Sequence, residues 1–422
     1  MKRRMEFGEN ERMAFESLRD HKMRSLLTVF GVVIGVTALI AVASILVGVD
    51  KDLRASLSQF GTDTLFVFKW TPGIHIGRMS PEERNRKPLS LEDALAIRDE
   101  APAVRQISVE VFPRITPGGG QSNPPTVRYK GNEVFGIDHS GTLATWPEVN
   151  NVAVIKGRFF TEGEDEHRAD VAVIGYDLQD SLFKGDDPLD KTIIVAGVDY
   201  RVIGVLAKRP GTLTHDDSAD KQVLVPYYTY RKYHPYDDEH WIVAKAYTGM
   251  KAQAEDEIRG ILRRRRHVPF DKPDNFGISS AEQIAEQFRQ IMSTVALMTI
   301  VIASIGLLVG GVGVMNIMLM SVTERTREIG VRKAIGARRL DIIRQFLTEA
   351  ITLTGAGGIV GVLAGVGISL LINAIFPSLP SAVPAWAIFI GVAVSMGVGL
   401  FFGMYPAVKA ARLDPVEALR YE

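Results

Sequence analysis

Hydrophobic residues are gathered into three uncharged stretches: Ser25–Val49, Gln290–Thr323 and Ala350–Val408. A membrane-spanning helix needs roughly 20 apolar residues. The third stretch is long enough for two spans and is broken by "FPSLPSAVP", where Pro377, Pro380 and Pro384 end helical structure. The pattern predicts four transmembrane helices, at 26–49, 292–320, 347–375 and 385–408. The first run contains Ala41–Val42–Ala43, which resembles a signal-peptidase site. The apolar run continues past it to Val49, and a charged amphipathic segment, 1–25, precedes it. A retained anchor is therefore expected.

Lys and Arg in short segments set the orientation. Lys2, Arg3, Arg4, Arg12, Arg19, Lys22 and Arg24 precede the first span, and Arg325, Arg327, Arg332, Lys333, Arg338, Arg339 and Arg344 lie between the second and third. The connection between the third and fourth has none, and Lys409, Arg412 and Arg420 follow the fourth. Both termini (the tail being 409–422) and the 321–346 loop are expected in the cytoplasm. Residues 50–290 are expected outside, in a multi-pass protein of the bacterial cytoplasmic membrane.

The outer region is too long for a loop and predicts an α+β domain. "DTLFVFK", "VRQISVEVFP", "ADVAVIG", "KTIIVAG" and "DYRVIGVLA" read as strands. "SLEDALAIRDE" has Ser90 as N-cap and Asp93 three residues on, and "MKAQAEDEIRGILRRRRH" is an amphipathic helix. Loops are expected at Thr71–Pro88 and Pro117–Pro125. Apolar stripes continue beyond the membrane at Leu53, Leu57 and Phe60 after the first span. A capping box at Ser279–Glu282 starts a second stripe, Ile284, Phe288, Ile291 and Val295. A helix from Ser280 to Thr323 would be on the order of 60 Å long, against a hydrocarbon core of about 30 Å. The stripes are consistent with a stalk leaving the membrane, and equally with core packing inside one domain.

The chain has 422 residues, with 49 Lys+Arg against 49 Asp+Glu, so charge indicates no nucleic-acid partner. Mean hydropathy is just above zero despite that charge, as expected when apolar residues are segregated. Absence of Cys excludes disulfides and thiol chemistry. No charged residue or His falls within the spans, which argues against a proton- or sodium-coupled path. Lone Asn316 and Asn373 suggest helix–helix hydrogen bonds. Glycines four apart, at Gly31/Gly35, Gly306/Gly310, Gly357/Gly361/Gly365 and Gly399/Gly403, permit close helix packing. The chain has no phosphate-binding G-x-x-x-x-G-K-[ST], so it lacks a P-loop of its own, and no H-E-x-x-H or G-x-S-x-G occurs. "THDDSAD", "HPYDDEH" and "RRRRH" read as solvated loops and a solvated helix end in preference to metal or lipid sites.

Between the second and third spans runs "TERTREIGVRKAIGARRLDIIRQFLTEA". Val331, Ala334 and Ile335 fall on one helical face, Arg332, Lys333, Arg338 and Arg339 ring the rest, and Gly330 and Gly336 are read as the ends. Such a helix could lie on the bilayer, serve only as a topology signal, or insert as a knob into a protein groove. The alternation of Glu324, Arg325, Arg327 and Glu328 beside a small apolar ridge suits a protein groove.

That loop resembles the signature of the MacB/FtsX/LolCE group of ABC-transporter permeases. So do "LRDHKMRSLLTVFGVVIGV" near the start and "PAVKAARLD" followed by "PVEALRYE" at the end. "PLSLEDALAIRDEAPAVRQISVEV", "GRFFTEGEDEHRADVAVIG" and "LFKGDDPLDKTIIVAGVDYRVIGVL" resemble the MacB-type extracytoplasmic core. Asp190 stands where that group usually has Gly.

The resemblance implies a four-helix membrane fold plus an α+β outer domain, with a porter-like core and an inserted, mostly β subdomain near 130–225. It implies a MacB-like permease without a fused ATPase. A separate cytoplasmic ABC ATPase would bind ATP and Mg²⁺, so no cofactor is expected in this chain. Glu324, Arg325 and Glu328 through Ala337 (with Ile329, Gly330, Val331, Arg332, Lys333, Ala334, Ile335 and Gly336) would form the coupling element. A second permease copy is expected, a homodimer in preference to a heterodimer, in a lipid membrane. Efflux relatives add a periplasmic adaptor and an outer-membrane channel. The implied function is mechanotransmission that drives extrusion of a drug, peptide or lipoprotein. The alternative is an FtsX-like lever that controls a cell-wall hydrolase.

Overall fold

The computed structural model describes residues 22–70, 80–112, 125–208, 220–376 and 379–420. The 1–25 segment except its end, the first half of Thr71–Pro88, "PGGGQSNPP" except Pro125, and "THDDSAD" except Asp220 lie outside the described residues. The chain divides into two compact units, residues 1–50 with 291–422 and residues 51–290.

Helix α1 (Lys22–Ser58) leads into the second unit, where β1 (Thr64–Phe68) is followed by α2 (Pro81–Arg84) and α3 (Leu91–Glu100). Next come β2 (Val104–Phe112), β3 (Val127–Tyr129), β4 (Asn132–Val134), β5 (Asp138–Thr142), α4 (Trp146–Val149), β6 (Val154–Gly157) and α5 (Glu162–Glu166). They are followed by β7 (Val171–Ile174), α6 (Tyr176–Phe183), β8 (Thr192–Val195), β9 (Val198–Leu206) and β10 (Gln222–Pro226). The unit closes with α7 (Tyr227–Tyr233), β11 (Glu239–Ala246), α8 (Lys251–Arg265) and β12 (Gly277–Ser280).

Strands lie in the order β12-β1-β11-β2-β5-β10-β7-β9-β8-β3-β4, with β6 on β9. The β5–β10 and β7–β9 pairs are parallel. Residues 130–225 join the β1–β2–β11–β12 part through a short β2–β5 ladder at Glu110↔Thr142 and Val111↔Gly141. Alternation along β1 separates two cores. Leu65 and Val67 face α3 and α8 with Ile97, Ile258 and Leu262, and Phe66 faces the opposite way with Val149, Val243 and Ala281. Ser90 and Asp93 form the expected capping box on α3. Asp190, at the usual Gly position, has φ +58°, which Asp tolerates better than most side chains, and its N–H donates to Val202 O at 2.8 Å.

Two expectations for this unit are corrected. The arginines closing α8 are paired: Arg263 with Asp274, Arg264 with Glu100, and both Arg265 and Arg266 with Asp93. The end of α8 lies beside the acid-bearing α3, and the Arg266 side chain is only 4% exposed. "HPYDDEH" is likewise not a solvated loop throughout. Glu239 and His240 begin β11 and are buried, His240 Nε2 lies 2.9 Å from Tyr227 Oη, and Tyr230 Oη donates to Asp237 at 2.8 Å.

Helix α9 (Ala281–Glu324) begins in the outer unit and belongs to the membrane unit from Ile291, and that unit also contains α10 (Thr326–Ala334), α11 (Arg339–Ile375), α12 (Ala385–Arg412) and α13 (Pro415–Arg420). Among the described residues, helices α1, α9, α11 and α12 are long and apolar enough to cross a membrane. At about 1.5 Å per residue, α9 is roughly 66 Å long. Its capping box is Ser280/Gln283, one residue later than expected. Helix packing runs through the paired glycines. A Cβ on Gly31 would lie 2.9 Å from the Gly310 Cα, and one on Gly35 would lie 2.9 Å from the Leu307 side chain. Gly306 faces Gly35, so α1 and α9 meet backbone to backbone. Gly357, Gly361 and Gly365 receive Val29, Val36 and Ile40 of α1, while Gly399 and Gly403 of α12 close on Ala350 of α11. Asn373 bonds the following connection instead of another spanning helix: Ser381 N–H donates to its Oδ1 at 2.9 Å, and its Nδ2 donates to Ser381 O at 3.0 Å.

Candidate functional site

The short helix α10 has two unlike faces. Thr326, Ile329 and Gly330 are buried, whereas Arg327, Glu328, Val331, Ala334 and Ile335 are exposed, Ile335 to 81%. The division follows the 3.6-residue repeat. Ile329 enters a core with Val314, Met318 and Val322 of α9, Ile342 and Phe346 of α11, and Ala407 and Ala410 of α12. The inner face of one short helix therefore shares a close-packed core with three spanning helices. Val331, Ala334 and Ile335 stand together on the outer face.

Polar contacts fix α10. Arg325 pairs with Glu349 of α11 at 3.5 Å, and Arg332 bridges Glu328 and Gln345 at 2.5 Å each. Lys333 does not ring the outside, as the sequence pattern suggested. Its Nζ donates to Ala411 O and Leu413 O at 2.6 Å each, capping the last turn of α12, where a cation meets the negative helix end. Burial, and then Arg339, hold the Lys333 ammonium below its usual pKa. Gly336, at φ +104°, ends the helix: its N–H donates to Lys333 O and the Ala337 N–H to Arg332 O, at 3.0 Å each. That is a Schellman ending, which favours Gly at this position.

Gly330 is not an end of the helix but lies within it. A Cβ there would lie 2.7 Å from the Ala418 Cβ, so the missing side chain is the notch in which α13 sits. Sequence reasoning missed α13 as part of the site. Its signal was present in Asp414–Pro415: the Asp414 carboxylate accepts from the Val416 N–H at 2.8 Å, and Pro follows it at the start of the helix. Val416 is 68% exposed and adds an apolar residue to the α10–α13 pair.

The stripe residues divide between the units. In the outer unit, Leu57, Phe60 and Ile284 pack around Phe66, Val149, Val243 and Ala281, Leu53 is buried, and Phe288 is half-buried. In the membrane unit, Ile291 is half-buried and Val295 exposed.

Four spanning helices, a large α/β domain between the first two, and a rigidly seated helix between the second and third define a membrane permease with an extracytoplasmic domain. Residues 25–261 match the MacB-like periplasmic core domain, and residues 300–415 match the FtsX-like permease C-terminal domain. The chain belongs to the MacB-like ABC-transporter permeases. The macrolide export ATP-binding/permease protein MacB of Bdellovibrio bacteriovorus is 34% identical over 421 residues, 99% of this chain and 62% of that one. The pyoverdine export ATP-binding/permease protein PvdT of Pseudomonas syringae is 36% identical over 422 residues, 97% of this chain and 59% of that one. The chain thus spans about three fifths of these two relatives. The uncharacterized ABC transporter permease YvrN of Bacillus subtilis is 34% identical over 420 residues, 98% of this chain and 100% of that one.

Proposed function

We propose that this chain is the permease subunit of a MacB-type exporter and transmits ATP binding and hydrolysis from a partner ATPase to its outer domain. The α10–α13 pair is the cytoplasmic docking element, with both termini on the same side. Val331, Ala334, Ile335 and Val416 enter a groove of the ATPase. ATP and Mg²⁺ are bound by that partner. The observation that carries the reading is the two-sided burial of α10: its inner face is locked to α9, α11 and α12, and its outer apolar ridge is open. A displacement of that ridge moves three spanning helices together, because close-packed cores shift as bodies. Helix α9 is continuous over Ala281–Glu324, so it is the natural push-rod.

Exposed Leu297, Val301, Ile305 and Leu308 on α9 face lipid or a second copy of the chain. The match of the outer unit to a MacB-like core supports extrusion of a substrate over control of a hydrolase. Relatives that carry export names for a macrolide and for pyoverdine support export as the class of activity without indicating this chain's cargo. The test is coexpression with ABC ATPases of the same genome. Wild type should copurify with one of them and stimulate its vanadate-sensitive ATP hydrolysis. Ala334→Asp should abolish both, since an unpaired charge in a desolvated contact costs several kcal/mol. Arg338→Ala, at the rim, should do much less. Full binding and stimulation by Ala334→Asp would refute the docking role.

A further inference from the structure

The outer unit contains a cavity of about 280 Å³, bounded by α3, the β5–α4 connection, α5 and the start of α7. Leu91, Leu95, Ile107, Leu143 and Ala144 form the apolar part of its lining, and Arg98, Thr145, Glu162, Asp165, Glu166 and Tyr228 the polar part. Leu91 and Ile107 are buried, whereas Glu162, Glu166, Arg98 and Tyr228 are exposed, so the cavity has an apolar floor and a charged mouth. Among the floor residues is Asp165, only 4% exposed. One of its carboxylate oxygens accepts the Tyr228 N–H at 2.8 Å, and the other has no hydrogen-bond partner among the described residues.

That second oxygen is still reached by solvent, so it is open to a partner in the cavity that Asp165 lines. No neighbouring base pairs with it. Glu164 is held by Arg158 at 2.6 Å, and Arg98 pairs with Asp99 at 2.9 Å. Glu162 and Glu166 add repulsion. Burial pushes the Asp165 carboxyl up to about 6; the Tyr228 N–H opposes that shift, and Glu162 and Glu166 add to it. A cation in the cavity would pair with that oxygen, and the walls constrain which kind. Hard divalent ions take six or more oxygen ligands, and the acidic residues here form no group that could hold a metal among the described residues. An organic cation satisfies both parts of the cavity. The volume lies just below the roughly 300–1,000 Å³ of typical ligand pockets, so the ligand is small.

We propose that this cavity binds a small amphipathic primary amine, with its ammonium on Asp165 and its alkyl body against Leu91, Leu95 and Ile107. The site is independent of how the chain engages its ATPase.

Equilibrium dialysis of radiolabelled hexylammonium against the full chain in lipid nanodiscs, corrected for empty nanodiscs, tests it. The expected result is saturable binding of one amine per chain at pH 7.5. Asp165→Asn, which keeps an acceptor for the Tyr228 N–H, should weaken it at least tenfold. In wild type, binding should fall as pH drops from 7.5 to 5, because Asp165 gains a proton while the ammonium keeps its own. The pH arm decides the matter if Asp165→Asn fails to fold. Hexanol should bind at least tenfold more weakly. Equal binding of hexanol, unchanged binding at pH 5, or full binding by a folded Asp165→Asn would each overturn the proposal. Tighter binding of Nα-acetyl-lysine N-methylamide would overturn the free amine in favour of a lysyl side chain on a polypeptide.

Discussion

Gly330 of α10 and Ala418 of α13 approach so closely that a Cβ on Gly330 would lie 2.7 Å from the Ala418 Cβ. The contact fastens the end of the chain to the helix between the second and third spans. It predicts that Gly330→Ala destabilises the α10–α13 pair and that Gly330→Leu does so further, by about 1–3 kcal/mol from overpacking. Faster limited proteolysis after Arg412 and reduced ATPase stimulation are the readouts. Ala418→Gly should rescue Gly330→Ala, because it removes the methyl group that collides. Failure of that rescue would show that Gly330 matters for some reason other than the notch.

Charged residues of the outer unit carry structural weight at Arg266 and Asp93. The Arg266 side chain is 4% exposed, and its guanidinium lies 3.7 Å from the Asp93 carboxylate and also donates to Asn275 at 2.8 Å and Pro88 O at 3.2 Å. Removing one partner of a buried pair typically costs about 3–5 kcal/mol. Asp93→Ala should destabilise the outer unit by that order, since it also removes the α3 capping box. Arg264→Ala should cost under about 1 kcal/mol, because its pair with Glu100 is exposed. Chemical denaturation followed by tryptophan fluorescence measures both.

These contacts show what the sequence could and could not reveal. Apolar run lengths located the spans, the Ser90–Asp93 spacing located a capped helix, and the glycine spacings marked residues that do lie between helices. Each of those signals is local. Arg265 meets Asp93 across 172 residues, and Lys333 reaches Leu413 O across 80, so neither pairing has a periodic signature. Gly330 was read as a helix end because propensity disfavours Gly within helices. Tertiary packing reverses that reading once α13 occupies the space a side chain would need. The outer ridge of α10 was legible because exposed and buried positions follow one helical repeat.

Acid sensitivity should arise from His139. It is buried against Tyr230 and His234, with ring centroids at 5.0 and 5.4 Å, and its Nε2 has no hydrogen-bond partner among the described residues. Burial, and then His234, lower its pKa to about 3. The unfolded chain therefore binds this proton near pH 6.5 and the folded chain only near 3. The stabilising contribution is complete above about 6.5 and is lost as pH falls toward 3, at up to about 1.4 kcal/mol per pH unit. His139→Phe keeps the ring contacts and removes the titration. Its stability should depend less steeply on pH than wild type between 6.5 and 4. Parallel profiles would contradict this assignment.

Orientation is testable with single cysteines, because the chain has none of its own. Asp187→Cys, exposed in the outer unit, should react with an impermeant maleimide in intact spheroplasts. Ile335→Cys should react only after the membrane is opened. The reverse pattern would place α10 outside and remove the site from reach of a cytoplasmic ATPase.

The central claim is that nucleotide bound to the partner ATPase alters the outer domain through α10 and α9. Hydrogen–deuterium exchange of the reconstituted permease–ATPase complex, with and without a nonhydrolysable ATP analogue, measures this directly. Peptides covering Leu53–Phe60 and Ala281–Ile291 should change exchange when nucleotide binds, and Gly330→Leu should suppress that change while leaving nucleotide binding intact. Identical exchange of residues 51–290 in every nucleotide state, in a complex that hydrolyses ATP at the stimulated rate, would contradict the account.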